Sequence, residues 1–97
     1  MHDDAEDHAT LKRHHERLEL LYAELERSQS RETIAAMLGV CAAVRRVDNP
    51  HYRYAVEQIV WIKGPLEAKR DGIDLAAVHQ GIARLVRALR SPALRDP

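Results

Sequence analysis

Ninety-seven residues, 45% of them hydrophobic and 31% charged, with no Phe and one Trp, predict a single small helical domain over 1–97 whose core is aliphatic. A formal net charge of zero excludes a chain drawn as a whole to nucleic acid or to an anionic membrane. The lone cysteine, Cys41, excludes an internal disulfide or a cysteine-based zinc site.

Met1-His2-Asp3-Asp4-Ala5-Glu6-Asp7 is acidic where a secretory signal is basic and then apolar, and no apolar run approaches the roughly 18 residues of a membrane span. The expectation is a cytoplasmic protein. Residues 1–8 are expected to fray and 92–97 to form a tail.

The first helix is predicted from about Asp4 to Arg27, with acidic residues in its first turn where the helix dipole favours them. Leu11, Leu18, Leu21 and Leu25 recur at coiled-coil-like spacing, a narrow seam that helix one is expected to project. Ser30 is placed to cap a second helix, about Arg31 to Val47, with Ile34, Met37, Leu38, Val40, Cys41, Val44 and Val47 spread around more than half of its circumference. That spread predicts the hub of the fold. Asp48-Asn49-Pro50 reads as a stop, a cap and a proline at the first helical position, opening a third helix at about His51. It is predicted to run to Lys63, where Gly64-Pro65 ends or kinks it, with a short fifth helix possible over 66–70.

Asp74 is placed to cap a last helix, with Ile73 and Val78 as a hydrophobic staple and Leu75, Val78, Ile82, Leu85, Val86 and Leu89 on one face before Pro92. No stretch alternates with period two. The fold expected is all-α, a compact antiparallel bundle of four main helices. Residues 1–32 carry five Lys/Arg against nine Asp/Glu, and 33–97 carry ten against six, so the acidic and basic ends are expected to meet.

Several groupings bear on function. Asp4, His8, His15 and Glu19 share one stripe of the first helix, and imidazole and carboxylate one turn apart can chelate an ion. The pattern lacks a closed metalloprotein signature, and no metal or cofactor is predicted. His14 lies between Leu11 and Leu18 on the seam itself, where a polar group sets register or responds to pH; His79 flanks the apolar face of the last helix. Trp61 and Tyr54, seven residues apart, face one way on the third helix while Tyr52, Val56, Ile59, Ile62 and Leu66 face the other. Either a neighbouring helix covers Trp61 or the pair anchors a partner. Arg84, Arg87 and Arg90 recur along the polar side of the last helix, with Arg95 beyond. No nucleophile and base stand in a catalytic pattern, and Cys41 sits on an apolar face, so no enzymatic role is predicted.

Thr33-Ile34-Ala35-Ala36-Met37-Leu38-Gly39-Val40 resembles the first helix and turn of a helix-turn-helix. Arg53-Tyr54, Ile59, Ile62 and Gly72-Ile73-Asp74-Leu75-Ala76-Ala77-Val78 resemble the latter half of the DNA-binding domain in the mercury-resistance class of regulators. The resemblance implies DNA contact through Arg45, Arg46 and Arg53. It departs from the family at Arg45, where a packed Val or Ile follows the turn glycine by six residues, and at Pro65, which stands at an apolar position.

The function expected ahead of that alternative is protein–protein interaction, as an adaptor, accessory or regulatory subunit and with a dimer favoured. Leu11, His14, Leu18, Leu21, Tyr22 and Leu25 would supply one surface and Tyr54 with Trp61 a second.

Overall fold

Asp4, Glu6 and Asp7 in the first turn and Arg27 in the last favour the helix dipole of α1 (Asp4–Arg27). Its 24 residues make a rod about 36 Å long, which sets the 42 Å long axis of the molecule. The structure is a computed structural model and describes residues 4–68 and 72–90. A three-residue connection leads into α2 (Arg31–Arg45), where the Ser30 hydroxyl accepts from the Thr33 N–H at 3.2 Å, as the sequence predicts. The α2 C-terminus tightens through bonds from Arg46 N–H to Ala43 and from Val47 N–H to Val44, which ends the regular helix at Arg45.

A 3-10 turn (Pro50–Tyr52), α3 (Arg53–Glu57), α4 (Val60–Glu67) and α5 (Leu75–Arg90) complete the described architecture. The fold is all-α, with no strand among the described residues. The third helix expected from the sequence is interrupted at Gln58–Ile59, well before Gly64-Pro65. Pro65 lies inside α4, where it deprives the helix of the bond that an N–H at this position would make to the Trp61 carbonyl.

Gly72 takes a φ of +155° in the turn before α5, a backbone conformation that favours glycine. The Asp74 carboxylate then accepts from Ala77 N–H at 3.1 Å. Ile73 N–H donates to the Gln29 side chain at 3.0 Å, tying the entry of α5 to the α1–α2 connection.

Two assembly expectations are corrected. The hub is α5 rather than α2: α5 packs on α4, α1 and α3 and buries Val78, Gly81, Ile82, Leu85, Ala88 and Leu89, against Met37, Cys41 and Val44 in α2. Apolar residues around more than half of a circumference do not ensure deep burial, since Ile34, Leu38 and Val40 of α2, and Val47 just beyond it, are only half-buried. Helix one, second, does not project. Leu11, Leu18, Leu21 and Leu25 lie within the chain's own core, because α1 packs on both α2 and α5.

The first turn of α1 is tied down. The Asn49 amide, buried at the other end of α2, donates to Asp4 Oδ1 and Asp7 Oδ2 at 2.8 Å each, while its own oxygen caps His51 N–H at 2.9 Å. Tyr52 adds a hydroxyl bond to the Asp4 carbonyl at 3.3 Å. The acidic first helix and the basic last helix do lie together, but among the described residues the ion pairs join neighbours on one helix, His15 with Glu19 and Lys63 with Glu67. Residues 92–97 and Arg95 lie outside the described residues.

Candidate functional site

The surface around Trp61 is built by three local features. Gln58, buried at the break before α4, donates its side-chain amide to the Tyr54 carbonyl at 3.1 Å and stabilises the bend. Pro65 has no N–H to offer the Trp61 carbonyl one turn earlier. Opposite that carbonyl stands Gly81 of α5, packed so closely that an added Cβ would lie 2.6 Å from the Trp61 oxygen and 2.8 Å from its carbon. Glycine is therefore what lets α5 approach α4 at this point.

One turn along α5, the Arg84 guanidinium carbon stands 4.6 Å from the centre of the Trp61 ring, a cation–π contact. The indole remains 52% exposed and Val60 beside it 62%. With Gly64, Pro65, Ala77 and Gln80 they line a groove of about 520 Å³, in the size range of ligand sites. Arg84 is the one ionisable residue in that lining, and among the described residues it meets no carboxylate. Asp74, the carboxylate that caps α5, is already engaged with Ala77 N–H.

A second groove, of about 600 Å³, runs between α1 and α5 past Glu19, Tyr22, Glu26, His79 and Val86. The Tyr22 hydroxyl donates to the Leu75 carbonyl at 3.2 Å, and its ring lies 5.4 Å from that of His79. Burial, then the neighbouring Glu26, pushes the Tyr22 hydroxyl above its ordinary value. At the base is His15, only 6% exposed. Its Nδ1 lies 3.7 Å from Glu19, while its Nε2 has no hydrogen-bonding partner among the described residues. Burial holds the His15 pKa below the ordinary value; Glu19 and Glu16 oppose that shift, and Arg90 adds to it.

Comparison with known protein families, characterised proteins and solved structures finds no match for this chain.

The structure separates the residues that the sequence grouped. Leu11, Leu18, Leu21 and Leu25 are core, so in this structure they present no surface to a partner. His14 is half-buried, its pKa lowered by burial and by Arg13; the histidine turned inward is instead its neighbour His15, one position round toward α5. Tyr22 is half-buried against α5. Tyr54 is 46% exposed on α3 and does not line the Trp61 groove.

Arg45, Arg46 and Arg53 are exposed, but the turn that the helix-turn-helix resemblance requires at Gly39 is absent. Gly39 sits in the middle of the continuous helix Arg31–Arg45, in a run of helix-compatible residues. The Asp4, His8, His15 and Glu19 stripe is also dispersed. Asp4 is held by Asn49 and His15 is buried, and among the described residues no three His, Cys, Asp or Glu converge as metal ligands. Burial pushes the Cys41 thiol up to about 11, away from the reactive thiolate.

The groove residues missed by sequence reasoning are Val60, Gly81 and Arg84. A glycine in the middle of an otherwise continuous helical face was the available signal for a close helix contact. Nothing in the spacing of the arginines singled out Arg84 as the one that reaches Trp61.

Proposed function

We propose that this chain is a protein-interaction module that binds another polypeptide through the groove between α4 and α5, with Trp61 as anchor and Tyr54 as a peripheral contact. What carries the reading is the conjunction of Trp61 and Val60, two large apolar side chains adjacent in sequence and more than half exposed, beside a groove with apolar walls. Solitary exposed apolar residues such as Leu20, 66% exposed on α1, are ordinary on protein surfaces. A contiguous pair around a Trp that its own fold has already oriented resembles the anchors that dominate binding energy. Arg84 restrains the indole before binding, which lowers the entropy lost on association.

Burial of apolar surface would supply the affinity and charge at the rim the orientation. The leucines of α1 have no part in this proposal, because the bundle already uses them.

Light scattering across a wide concentration range, followed by affinity capture, tests the proposal with the parent chain, Val60→Asp and Leu20→Asp. Loss of a parent dimer, or of specific partners, in Val60→Asp but not in Leu20→Asp is the expected result. Identical size and identical partners for the parent and Val60→Asp would refute it.

A further inference from the structure

We infer that the Trp61 groove selects an acidic amphipathic helix of a partner protein, and that Arg84 is the residue that reads its carboxylate. The inference rests on the groove being the binding surface and adds the chemistry of what enters it. The groove walls are apolar, so the occupant must bring an aliphatic or aromatic side chain to fill the space between Val60, Trp61, Pro65 and Gly81. Its charge is set by Arg84, which is the sole ionisable group of the lining and meets no carboxylate of this chain among the described residues.

The contact with Trp61 makes Arg84 more than a mobile surface cation. With its carbon over the indole, 4.6 Å from the ring centre, the guanidinium has lost part of its rotamer freedom before any partner arrives. A guanidinium carries five N–H donors, more than one ring contact can engage, so donors remain to bond a carboxylate. An incoming carboxylate would meet this charge at the edge of an apolar wall, where screening is weaker than in open solvent. An ammonium in the same place would meet like charge. Glu57 is exposed one turn before Trp61 but does not line the groove, so among the described residues the wall presents positive charge alone.

The form of the ligand follows from the shape of the groove. It lies between two packed helices, and Ala77, Gln80, Gly81 and Arg84 supply its α5 wall over two turns. A helix laid there offers apolar side chains at successive turns, with acidic residues flanking the stripe.

The test uses two stapled helices of about 15 residues, identical in a leucine stripe and differing only in whether Glu or Lys flanks it. Binding to the whole chain is followed by the fluorescence of Trp61, the only tryptophan present, and by calorimetry. The expected result is a roughly three- to tenfold preference for the Glu helix at low ionic strength. That preference shrinks toward parity at high salt and is lost in Arg84→Gln, while Leu20→Asp retains it. Circular dichroism of each variant establishes that it is folded.

Equal affinity for both helices, with both lost in Val60→Asp, would overturn the role of Arg84 and leave the groove as the binding surface. A preference that survives intact in Arg84→Gln would overturn it too, since the selectivity would then come from elsewhere. If the parent binds neither helix, the inference and the reading beneath it fall together.

Discussion

Replacing His15 with leucine should stabilise the protein and flatten its response to acid. The ring is 6% exposed, yet its Nε2 has no partner among the described residues, and a buried polar atom left without a hydrogen bond costs about 1–3 kcal/mol. Leucine fills a similar volume without that polar atom. Glu19, whose side chain is 60% exposed and 3.7 Å from Nδ1, stays hydrated when the imidazole goes, so little is lost in exchange. A net gain of about 1–2 kcal/mol follows, and for a domain of this size each kcal/mol raises Tm by roughly 4–8 °C.

The sign of the pH effect follows from burial. His15 in the folded chain titrates below its ordinary value, whereas the unfolded imidazole titrates near ~6.5. As pH falls through that unfolded value, the unfolded state takes up a proton first and stability declines. The decline continues until pH passes the lower folded value, and above about 6.5 the effect is absent. His14, shifted the same way, adds a slope of its own that the variant retains. Urea unfolding of the parent and His15→Leu at pH values from about 7.5 to 5, above the main carboxylate range, measures both quantities. A His15→Leu protein less stable than its parent, or one with the parent's full pH slope, would refute the reasoning.

Gly81→Ala is expected to destabilise by about 2 kcal/mol or more, since its methyl would meet Trp61 backbone at 2.6 Å and overpacking outweighs the better helix propensity; thermal melts check this. Gly39→Ala, which meets nothing within 4 Å in α2, should instead stabilise by about 0.5–1 kcal/mol in the same assay. Asn49→Ala removes two bonds to carboxylates and a cap and should cost about 2–4 kcal/mol in urea unfolding. Asn49→Asp sets a third carboxylate beside Asp4 and Asp7, so it should be less stable than the parent at neutral pH and recover part of the loss as pH falls through the carboxylate range. Cys41, buried and pushed up to about 11, should react with a thiol reagent in the native state only as fast as the bundle opens, and at once when denaturant is present.

Elements whose signals are local were legible in the sequence. The Ser30, Asn49 and Asp74 caps each form the predicted bond between a side chain and a backbone N–H, because a cap depends on residues within one turn of it. The buried face of α5 was readable from its spacing. What the sequence hid were facts about neighbours. The leucines of α1 had the spacing of an intermolecular seam, and only the presence of α2 on one side and α5 on the other makes them internal. His14 lay closer than His15 to the centre of the seam as drawn, yet packing against α5 rotates the buried face toward His15. Asn49 was legible as a cap, while its two bonds to α1 join residues more than 40 positions apart.

The Trp61 surface shows how local and tertiary causes combine. An exposed Trp at the end of a short helix would ordinarily swing between rotamers and present no fixed shape. Here Pro65 leaves the Trp61 carbonyl without its helical N–H partner, and Gly81 lets α5 close on the same carbonyl. That contact sets the separation of α4 and α5, and hence the distance from Arg84 to the indole. Arg84 then holds the ring, and the two side chains together line the groove. Residues distant in sequence, Gly81 and Arg84 on one helix and Trp61 and Pro65 on another, thus act as one unit. Substituting Gly81 should deform the groove before it unfolds the bundle, because the clash falls on the backbone from which Trp61 projects.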